Sequence, residues 1–377
     1  MENIGIYIHI PFCKQKCSYC DFVSFANKET YEHEYIEAVK KEIEYKSKTK
    51  YNISTIYIGG GTPSYISEKY IVDILNVINK KFEVAENAEI TIEVNPGTVD
   101  KKKLETYKEA GINRLSIGLQ STNNSILKQI GRIHTYEQFY DTYKLAKEVG
   151  FTNINVDLML ALPSQTLEDI QNSVESVIKL APTHISVYSL ILEDGTLLKE
   201  KVDNNVFTLP DDELERKMYW SVKNILERSG YVHYEISNFA KKGYESKHNK
   251  DCWEQKEYIG IGLAAHSYLN RTRFSNTCNL QDYINNIKNG EIKKNITVHE
   301  RQTVEEAKKE YMLLGLRKIE GVNIQEFKNK YIDNPIYVFH NELEKLVNEE
   351  LVEIDLNMIK LTKKGLDLAN LVWEEFV

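Results

Sequence analysis

The sequence predicts an α/β protein built on a partial barrel of six β/α units, (β/α)6, with a smaller α+β domain at its C-terminal end. Six short apolar runs rich in β-branched residues lie in the first half of the chain, and longer segments with helical periodicity separate them. Strands that alternate with helices form parallel sheets covered by helices. A closed barrel needs eight such units. After about Leu192 the pattern changes, which indicates additions to the barrel rather than two further units.

Hydrophobic periodicity places each element of the barrel. Strands are expected at Ile4–Ile10, Thr55–Ile58, Glu89–Val94, Arg114–Leu119, Ile154–Leu160 and His184–Leu190. Helices are expected at Tyr31–Lys46, Glu68–Lys81, Lys101–Ala110, Tyr136–Val149 and Thr166–Leu180. Gly111 and Gly150 follow two of these helices, where a glycine that ends a helix is expected.

The second half of the chain predicts a sheet extension and a separate C-terminal domain. Its expected elements are a helix at Asp211–Ser229, strands at Tyr231–Phe239 and Arg271–Phe274, helices at Val304–Ile319 and Pro335–Glu349, strands at Leu351–Ile354 and Met358–Leu361 around a turn at Asp355–Asn357, and a helix at Thr362–Glu375. Helix, hairpin and helix in this order resemble a winged-helix module. We therefore predict a barrel in residues 1–200, a barrel extension in 201–298 and a winged-helix-like domain in 299–377.

Composition and charge exclude two classes of partner. The chain has 48 Lys and Arg against 56 Asp and Glu, a net charge of −8. A protein that neutralises many phosphates has the opposite balance, so nucleic acid is not the expected partner, and the acidic C-terminal helices favour partner docking over DNA binding. No apolar run reaches the roughly 18 residues that span a bilayer, so an integral membrane protein is not expected. The N-terminal sequence Met1-Glu2-Asn3-Ile4 has no basic or apolar targeting segment, which predicts a cytoplasmic protein.

Three of the five cysteines form a motif directly after the first expected strand. Cys13, Cys17 and Cys20 have the spacing C-x3-C-x2-C. A cubane iron–sulfur cluster has four irons, so three thiolates leave one iron open to a ligand such as the amino and carboxylate groups of S-adenosylmethionine (SAM). A structural zinc site is the alternative, but it usually has four ligands in two pairs, and Cys252 and Cys278 do not form a pair. Three thiols without a ligand are the remaining alternative.

A glycine-rich motif and four polar residues follow later strands. Gly59-Gly60-Gly61-Thr62-Pro63-Ser64 lacks the spacing of phosphate and dinucleotide loops, and its glycines let the backbone approach a ligand. We expect a positive φ at Gly61. A tight strand-to-helix turn also explains this motif. The polar residues at strand ends, where barrel active sites assemble, are Glu93, Gln120, Arg132 and Asp157. Helix capping by the two carboxylates and a surface ion pair of the arginine are the alternatives.

Together these motifs resemble the radical SAM superfamily, and the segment YIHIPFC…C..CDF resembles its HemN/HemW branch. This branch contains an oxygen-independent coproporphyrinogen III oxidase and a heme chaperone, and the resemblance covers nearly the whole chain. It implies a radical SAM partial barrel with a [4Fe-4S] cluster on the three clustered cysteines. It also implies a SAM site formed by Tyr7, Tyr19, Gly60, Gly61, Thr62, Glu93, Gln120, Arg132 and Asp157.

Two segments distinguish the members of this branch. The oxidase pattern has a fourth cysteine two residues after the third, and this chain has Phe22 there. The chaperone pattern resembles H-N-x-x-Y-W, and residues 248–253 match it except that Cys252 replaces the tyrosine. Neutral imidazole is a common axial ligand of heme iron, so the resemblance implies that His248 binds heme. The alternatives are an ordinary loop histidine beside a structural Trp253, or heme ligation by Cys252.

Three functions are consistent with the resemblance. The first is a heme chaperone with a SAM-ligated cluster that passes heme to an apo-hemoprotein, free or membrane-associated. The second is an enzyme of porphyrin metabolism that decarboxylates the propionates of coproporphyrinogen III through a 5′-deoxyadenosyl radical. The third is a radical SAM enzyme with an unrelated substrate. Phe22 and the segment at 248–253 favour the first, and whether the chain is an enzyme stays open.

Overall fold

A sheet of twelve strands dominates the computed structural model, which describes residues 3–377. In chain order the strands are β1 (Asn3–Ile10), β2 (Phe12–Cys13), β3 (Phe25–Ala26), β4 (Asn52–Gly60), β5 (Glu83–Val94), β6 (Arg114–Gln120), β7 (Asn153–Leu160), β8 (His184–Ser189), β9 (Val232–Glu235), β10 (Asn238–Ala240), β11 (Tyr258–Ile261), β12 (His266–Leu269), β13 (Thr272–Asn276), β14 (Ile296–Arg301), β15 (Val322–Asn323), β16 (Val352–Ile354) and β17 (Met358–Leu361). The prediction that the N-terminal sequence is not a targeting segment partly concerns Met1 and Glu2, which lie outside the described residues.

The helices connect these strands and cover the sheet. In chain order they are α1 (Glu32–Lys46), α2 (Glu68–Lys81), α3 (Lys101–Glu109), α4 (Asn124–Gln129), α5 (Tyr136–Val149), α6 (Leu167–Lys179), α7 (Leu197–Asp203), α8 (Asp212–Arg228), α9 (Lys247–Trp253), α10 (Leu280–Lys288), α11 (Val304–Gly315), α12 (Ile324–Tyr331), α13 (Pro335–Val338), α14 (His340–Asn348), α15 (Lys363–Asp367) and α16 (Ala369–Glu374). Within residues 3–377, no helix has both the length and the apolar composition to cross a bilayer.

The six expected barrel strands are neighbours in one parallel array. Their order is β1-β4-β5-β6-β7-β8, and every pairing along it is parallel. β11 extends the array beyond β1 in parallel, and β12 to β14 continue it as antiparallel strands. At the other edge β10 and β9 follow β8 in antiparallel order. This topology confirms the predicted α/β partial barrel of six units.

Three elements that were expected to be continuous are each divided in two in the structure. Tyr231–Phe239 is a tight hairpin rather than one strand, because the Glu235 carboxylate accepts hydrogen bonds from the backbone N–H of Ser237 and the side chain of Asn238 and so stabilises a turn. The expected helix at Pro335–Glu349 is interrupted at Phe339, which is buried in a non-helical conformation. The expected last helix is interrupted in the same way at Leu368 (φ −125°).

The C-terminal region has a hydrophobic core of its own. Buried apolar side chains between residues 311 and 376 pack around Met312, Phe327 and Ile359, separately from the core of the barrel. The strands β15, β17 and β16 form a small antiparallel sheet beside helices α11, α12 and α14. This arrangement confirms the predicted α+β, winged-helix-like domain and adds α12 and β15, which the sequence analysis missed.

The carboxylate of Glu42 holds the returning segment that places β11 beside β1. Glu42 lies on α1 with 1% of its surface exposed, and Lys46 pairs with it at 2.7 Å. It accepts hydrogen bonds from the backbone N–H of Gly262 at 2.8 Å, Asn276 Nδ2 at 2.7 Å and the hydroxyl of Tyr283 at 2.5 Å. A buried carboxylate with this many donors is satisfied, so its removal takes an acceptor from every one of them, although Lys46 and Asn276 each keep a second acceptor, the carbonyls of Gly260 and Gly262.

We expect Glu42→Ala to lower the free energy of unfolding by about 3–5 kcal/mol, because it removes the counter-charge of a nearly buried ammonium and an acceptor of three buried donors. Denaturant unfolding followed by circular dichroism measures the change. Glu37→Ala is the matched control on the same helix, since Glu37 is 47% exposed and pairs only with Lys40. Its effect should stay within about 0.5 kcal/mol, and equal effects of the two variants would contradict the structural role of Glu42.

Candidate cofactor site

A cavity of about 390 Å³ opens at the carboxyl ends of the barrel strands. All predicted site residues except Tyr7 and His248 line it, namely Cys13, Cys17, Tyr19, Cys20, Gly60, Gly61, Thr62, Glu93, Gln120, Arg132 and Asp157. Its volume lies in the range of roughly 300–1,000 Å³ that small-molecule and cofactor sites have. The parallel register explains this convergence, because strand ends that are distant in sequence meet at one edge of the sheet.

Hydrogen bonds to the backbone fix the cysteine loop in its middle and at its exit. The N–H of Ser18 donates to the carbonyl of Ile130 at 3.0 Å, and the N–H of Leu198 donates to the carbonyl of Ser18 at 2.7 Å. At the exit of the loop, Nε2 of His9 donates to the carbonyl of Val23 at 2.8 Å. The loop is therefore held by β1, by the end of α4 and by α7, so its three thiols have a defined position before any ligand binds.

A chain of hydrogen bonds connects two of the three cysteines. The hydroxyl of Thr62 donates to Cys13 Sγ at 3.4 Å and accepts from Asn95 Nδ2 at 2.9 Å. Arg132 donates through Nη2 to Asn95 Oδ1 at 2.9 Å and through Nη1 to Cys17 Sγ at 3.6 Å. Asn95 was not among the predicted site residues. Its position directly after Glu93-Val94 at a strand end was the available signal.

The thiols are set up to bind a cationic metal group. Burial raises the pKa of the Cys13 thiol and of the Cys20 thiol, so thiolates at these positions need compensation by positive charge. Arg132 supplies part of it beside Cys17. No three His, Cys, Asp or Glu side chains in residues 3–377 converge on a point where one metal ion could bind. A cubane takes each thiolate on a different iron, so it does not require such convergence.

The glycine loop closes tightly on the cysteine loop. Gly60 has φ +114°, and a Cβ there would lie 2.6 Å from the ring of His9. At Gly61 a Cβ would lie 2.9 Å from Cys13 Sγ and 3.0 Å from the carbonyl oxygen of Ile10. The expected positive φ thus belongs to Gly60 and was wrong for Gly61. Gly61 is required instead because a side chain there would collide with a sulfur of the cysteine motif.

Two partly buried carboxyl groups face the cavity. Glu93 accepts hydrogen bonds from the Tyr57 hydroxyl at 2.9 Å and the Gly60 N–H at 3.1 Å. Burial raises the pKa of Glu93 to about 7, and the nearby charge of Asp157 adds to the rise. Burial also raises the pKa of Asp157, which accepts from Asn155 Nδ2 at 2.7 Å. Both groups would gain from a cationic ligand such as an ammonium or a sulfonium.

The alternatives of helix capping and a surface ion pair are wrong for these residues. Asp100 and Thr166 cap the helices that follow β5 and β7, so neither Glu93 nor Asp157 has that role. Arg132 is partly buried rather than on the open surface, and its hydrogen bonds go to Gly118, Asn95 and Cys17. Its Nε is buried and has no hydrogen-bond partner among residues 3–377, which marks a donor that a ligand of the cavity could satisfy.

Tyr7 lies behind the cavity rather than in its lining. Its hydroxyl donates to Nδ1 of His9 at 3.0 Å, since Nε2 of that ring carries the proton given to Val23. Its ring stacks on Tyr57 with centroids 6.2 Å apart. The structure therefore places Tyr7 as a support of His9 and of the cysteine loop.

His248 lies towards the opposite end of the barrel. It is 7% exposed, its Nδ1 shares a hydrogen bond of 2.8 Å with Thr55 Oγ1, and its ring stacks on Tyr57 at 5.3 Å. Thr55 pairs with Gly5 in the amino-terminal half of the sheet, far along the strands from the cysteine loop. Burial lowers the pKa of His248 to about 4, so the imidazole is neutral. The structure does not bring His248 together with the other predicted residues.

Trp253 and Cys252 of the 248–253 segment are both unsuited to bind a ligand. The guanidinium of Arg317 lies between the rings of Trp253 and Trp373, 4.5 Å and 4.8 Å from their centroids. Trp253 thus contacts the C-terminal domain and is not a free aromatic surface. Burial raises the pKa of the Cys252 thiol to about 12, which keeps it protonated and disfavours it as a thiolate ligand.

Comparison with known proteins identifies the family. Residues 7–177 match the radical SAM superfamily, and residues 302–368 match the HemN C-terminal domain. The chain is 38% identical to the heme chaperone HemW of Bacillus subtilis, over 98% of each chain. It is 36% identical to the heme chaperone HemW of Lactococcus lactis, over 98% of this chain and 96% of the relative. The chain belongs to the HemW family of radical SAM proteins.

The HemW family shares its fold with a solved oxidase structure. Coproporphyrinogen III oxidase (HemN) from Escherichia coli superimposes with a TM-score of 0.87 at 22% identity, covering 99% of this chain and 89% of the oxidase. Membership of the radical SAM superfamily implies a [4Fe-4S] cluster and SAM. The cavity of this HemW-family chain fits both, because it combines three thiols, an unsatisfied buried donor on Arg132 and a Gly61 backbone that leaves no room for a side chain.

We expect Ala substitution of Cys13, Cys17 or Cys20 to abolish the cubane, because three thiolates are the minimum ligation that this loop offers. Iron and sulfide content after anaerobic reconstitution, together with the absorbance of the cluster, measures the loss. Cys252→Ala and Cys278→Ala are the controls and should keep one cluster per chain. A Cys17→Ala variant with unchanged iron content would contradict the assignment.

We expect Gly61→Ala to weaken SAM binding roughly five- to hundredfold, which corresponds to about 1–3 kcal/mol of overpacking. The added methyl group would press on Cys13 Sγ and on backbone oxygens. Isothermal titration of reconstituted protein measures the affinity, with iron content measured in parallel. Gly290→Ala is the control for backbone strain alone, since its φ is +78°, its Cβ would meet no atom within 4 Å, and it lies outside the cavity lining. Equal SAM affinity of the Gly61→Ala variant and the wild type would show that the cofactor binds elsewhere.

Proposed function

We propose that this chain is a cytoplasmic heme chaperone that binds heme and a SAM-ligated [4Fe-4S] cluster and delivers heme to apo-hemoproteins, free or membrane-associated. The similarity to two proteins named heme chaperone HemW, over 96–98% of their lengths, carries the proposal. The matches include both the radical SAM region and the C-terminal domain, so they support a function of the whole chain rather than of the barrel alone.

Phe22 supports this function over coproporphyrinogen III oxidation. It stands where the oxidase pattern has its fourth cysteine, and its ring is 61% exposed in the lining of the cofactor cavity. An apolar ring cannot replace a thiol in ligation or in proton transfer. The shared fold alone does not decide between the chaperone and the oxidase function, because one fold supports different activities.

We assign the cluster to Cys13, Cys17 and Cys20 and the SAM site to the cavity that they share with Gly60, Gly61, Thr62, Tyr19, Glu93, Gln120, Arg132 and Asp157. Bound SAM and a reduced cluster supply a 5′-deoxyadenosyl radical in this superfamily. The chain itself positions the thiols through Thr62, Asn95 and Arg132. Glu93 and Asp157 supply carboxyl groups to a cationic cofactor, and Tyr7 supports the loop through His9.

We propose His248 as an axial ligand of heme iron. A neutral imidazole held at Nδ1 by Thr55 leaves Nε2 as the ligating nitrogen, the arrangement in which a second partner fixes the ring of a ligating histidine. We also propose the division into a barrel (1–200), a barrel extension (201–298) and a C-terminal domain (299–377). The separate hydrophobic core between residues 311 and 376 supports the last of these boundaries.

Purified protein should bind heme and should not form vinyl groups from coproporphyrinogen III in an anaerobic assay with SAM and a reductant. Absorbance titration with hemin measures binding and ligation, and His248→Ala should change the Soret band and weaken binding at least about tenfold, since an axial ligand is lost. His340→Ala is the control, because His340 is exposed on the C-terminal domain.

The two parts of this experiment test different statements. Unchanged heme spectra and affinity in His248→Ala would remove that residue from the heme site while heme binding itself stands. Multiple-turnover decarboxylation of coproporphyrinogen III would overturn the chaperone assignment and favour the oxidase. Absence of both heme binding and decarboxylation would favour a radical SAM enzyme with an unrelated substrate.

A further inference from the structure

A line of polar side chains runs along the inside of the barrel, from the cofactor cavity towards the start of helix α9. Asp157 lines the cavity, and Asn155, two residues earlier on β7, lies on the same face of that strand. His184 and Ser186 of β8 pair with Asn155 and Asp157 in the parallel register. The interior of a barrel is usually filled by branched apolar side chains, so this polar line is a candidate for a functional role.

The hydrogen bonds of Asn155 fix the orientation of its amide. Nδ2 donates to Asp157 Oδ1 at 2.7 Å and to Ser116 Oγ at 2.8 Å. Oδ1 accepts from the hydroxyl of Ser186 at 3.0 Å and lies 2.7 Å from Nδ1 of His184. An ionised carboxylate only accepts hydrogen bonds, so the amide nitrogen must face Asp157 and the amide oxygen must face His184.

This orientation of the amide decides the tautomer of His184. The side chain is fully buried, and burial together with the charge of Arg114 holds the pKa of His184 well below its usual range, so the imidazole is neutral. A neutral imidazole has one donor and one acceptor. Nδ1 must therefore carry the proton that it donates to Asn155, and Nε2 accepts from the hydroxyl of Tyr234 at 2.8 Å.

The four side chains form a chain of hydrogen bonds in which every donor points towards the cavity. The Tyr234 hydroxyl donates to His184, and His184 donates to Asn155. Asn155 in turn donates to Asp157. At the far end, the Tyr234 oxygen accepts the backbone N–H of Ser246, the residue that caps helix α9, at 3.3 Å. Since each hydrogen bond of a chain polarises the next, the carboxylate receives a stronger donor than an isolated amide would give.

The imidazole is the group that keeps this amide from turning over. Half a turn of the Asn155 amide would place its oxygen against Asp157, and the repulsion between the two oxygens would displace the carboxylate. The hydroxyls of Ser116 and Ser186 adapt to either orientation, because a hydroxyl both donates and accepts. The Nδ1–H of His184 opposes the turn, since it would then face an amide nitrogen that also donates.

We propose that His184 is a positioning residue for the cofactor site, because it holds the Asn155 amide with its nitrogen towards Asp157. Tyr234 in turn fixes the tautomer of His184 that does so. This inference rests on the SAM site proposed above and adds to it two residues that do not line the cavity. The interaction that they serve is the one between the Asp157 carboxylate and a cationic or hydroxyl group of the cofactor.

His184→Leu in the reconstituted full-length protein tests this proposal. The variant removes both ring nitrogens, and SAM affinity should fall about tenfold, which is the effect of a lost hydrogen bond to a charged group. His184→Asn should restore most of this affinity, because its amide nitrogen can take the position of Nδ1 and donate to Asn155. Isothermal titration measures the affinity, and iron content shows that the cluster is equally loaded.

His233→Leu is the matched control for the loss of a buried imidazole. His233 is 5% exposed, and its Nε2 donates to the carbonyl of Ile236 at 3.2 Å rather than to a member of the hydrogen-bonded chain. Its SAM affinity should stay within about twofold of the wild type.

A double-mutant cycle with Asp157→Asn separates positioning from a general effect on the fold. If His184 acts through Asp157, His184→Leu should change SAM affinity by less than about twofold in the Asp157→Asn background. Tyr234→Phe removes only a hydroxyl, so it should weaken SAM binding about threefold and lose this effect in the same background. Its control is Tyr231→Phe, since the Tyr231 hydroxyl donates to the carbonyl of Pro182 outside the chain of hydrogen bonds.

The results distinguish the site from the role of His184. Wild-type protein that binds no SAM overturns the proposed cofactor site itself. Unchanged SAM affinity in both His184→Leu and Tyr234→Phe overturns the positioning role and leaves the cofactor site standing. Equal effects of His184→Leu with and without the Asp157 carboxylate would show that the imidazole acts on the fold, and would also overturn the proposal. If circular dichroism shows that His184→Leu is unfolded, the Tyr234→Phe cycle decides between the same results.

Discussion

The partly buried guanidinium of Arg132 is the charge around which the cofactor cavity is organised. Its hydrogen bonds in the described residues go to uncharged oxygens of Gly118 and Asn95 and to the sulfur of Cys17. A buried cation whose partners are neutral is costly, and anionic thiolates of a bound cluster would offset that cost. The same side chain orients Asn95, which orients Thr62 towards a second sulfur. The loop is therefore shaped for an anionic group before that group binds.

The fold was predictable because the parallel strands are buried on both faces and their apolar runs are continuous. Placing the strands also placed Glu93 and Asp157 at or near strand ends, because both residues belong to these apolar runs. The errors arose where a side chain overrides periodicity. The carboxylate of Glu235 closes a hairpin inside one apolar run, and Phe339 enters the core where a helix would have continued. The position of His248 depends on contacts with Thr55, almost two hundred residues earlier, and no local pattern predicts such a contact.

One aromatic side chain joins the two ends of the barrel. The hydroxyl of Tyr57 donates to Glu93 in the cofactor cavity, and the ring of Tyr57 stacks on His248. A ligand that competes for Glu93 would change the hydrogen bond that holds this ring, and the ring is in direct contact with the imidazole. The barrel interior thus offers a short physical connection between the cofactor cavity and helix α9, with Tyr57 as the shared element.

Helix α9 extends this connection to the C-terminal domain. Its amino-terminal part is fixed in the barrel, because Glu89 accepts the backbone N–H groups of Lys247 and His248. Just beyond its other end, Gln255 Nε2 donates to the carbonyl of Ala307 at 2.9 Å, and Trp253 packs on an arginine of the C-terminal domain. Since α9 and the residues just after it make those contacts, and α9 also carries His248, a displacement of the C-terminal domain by a partner would act on the imidazole through this helix.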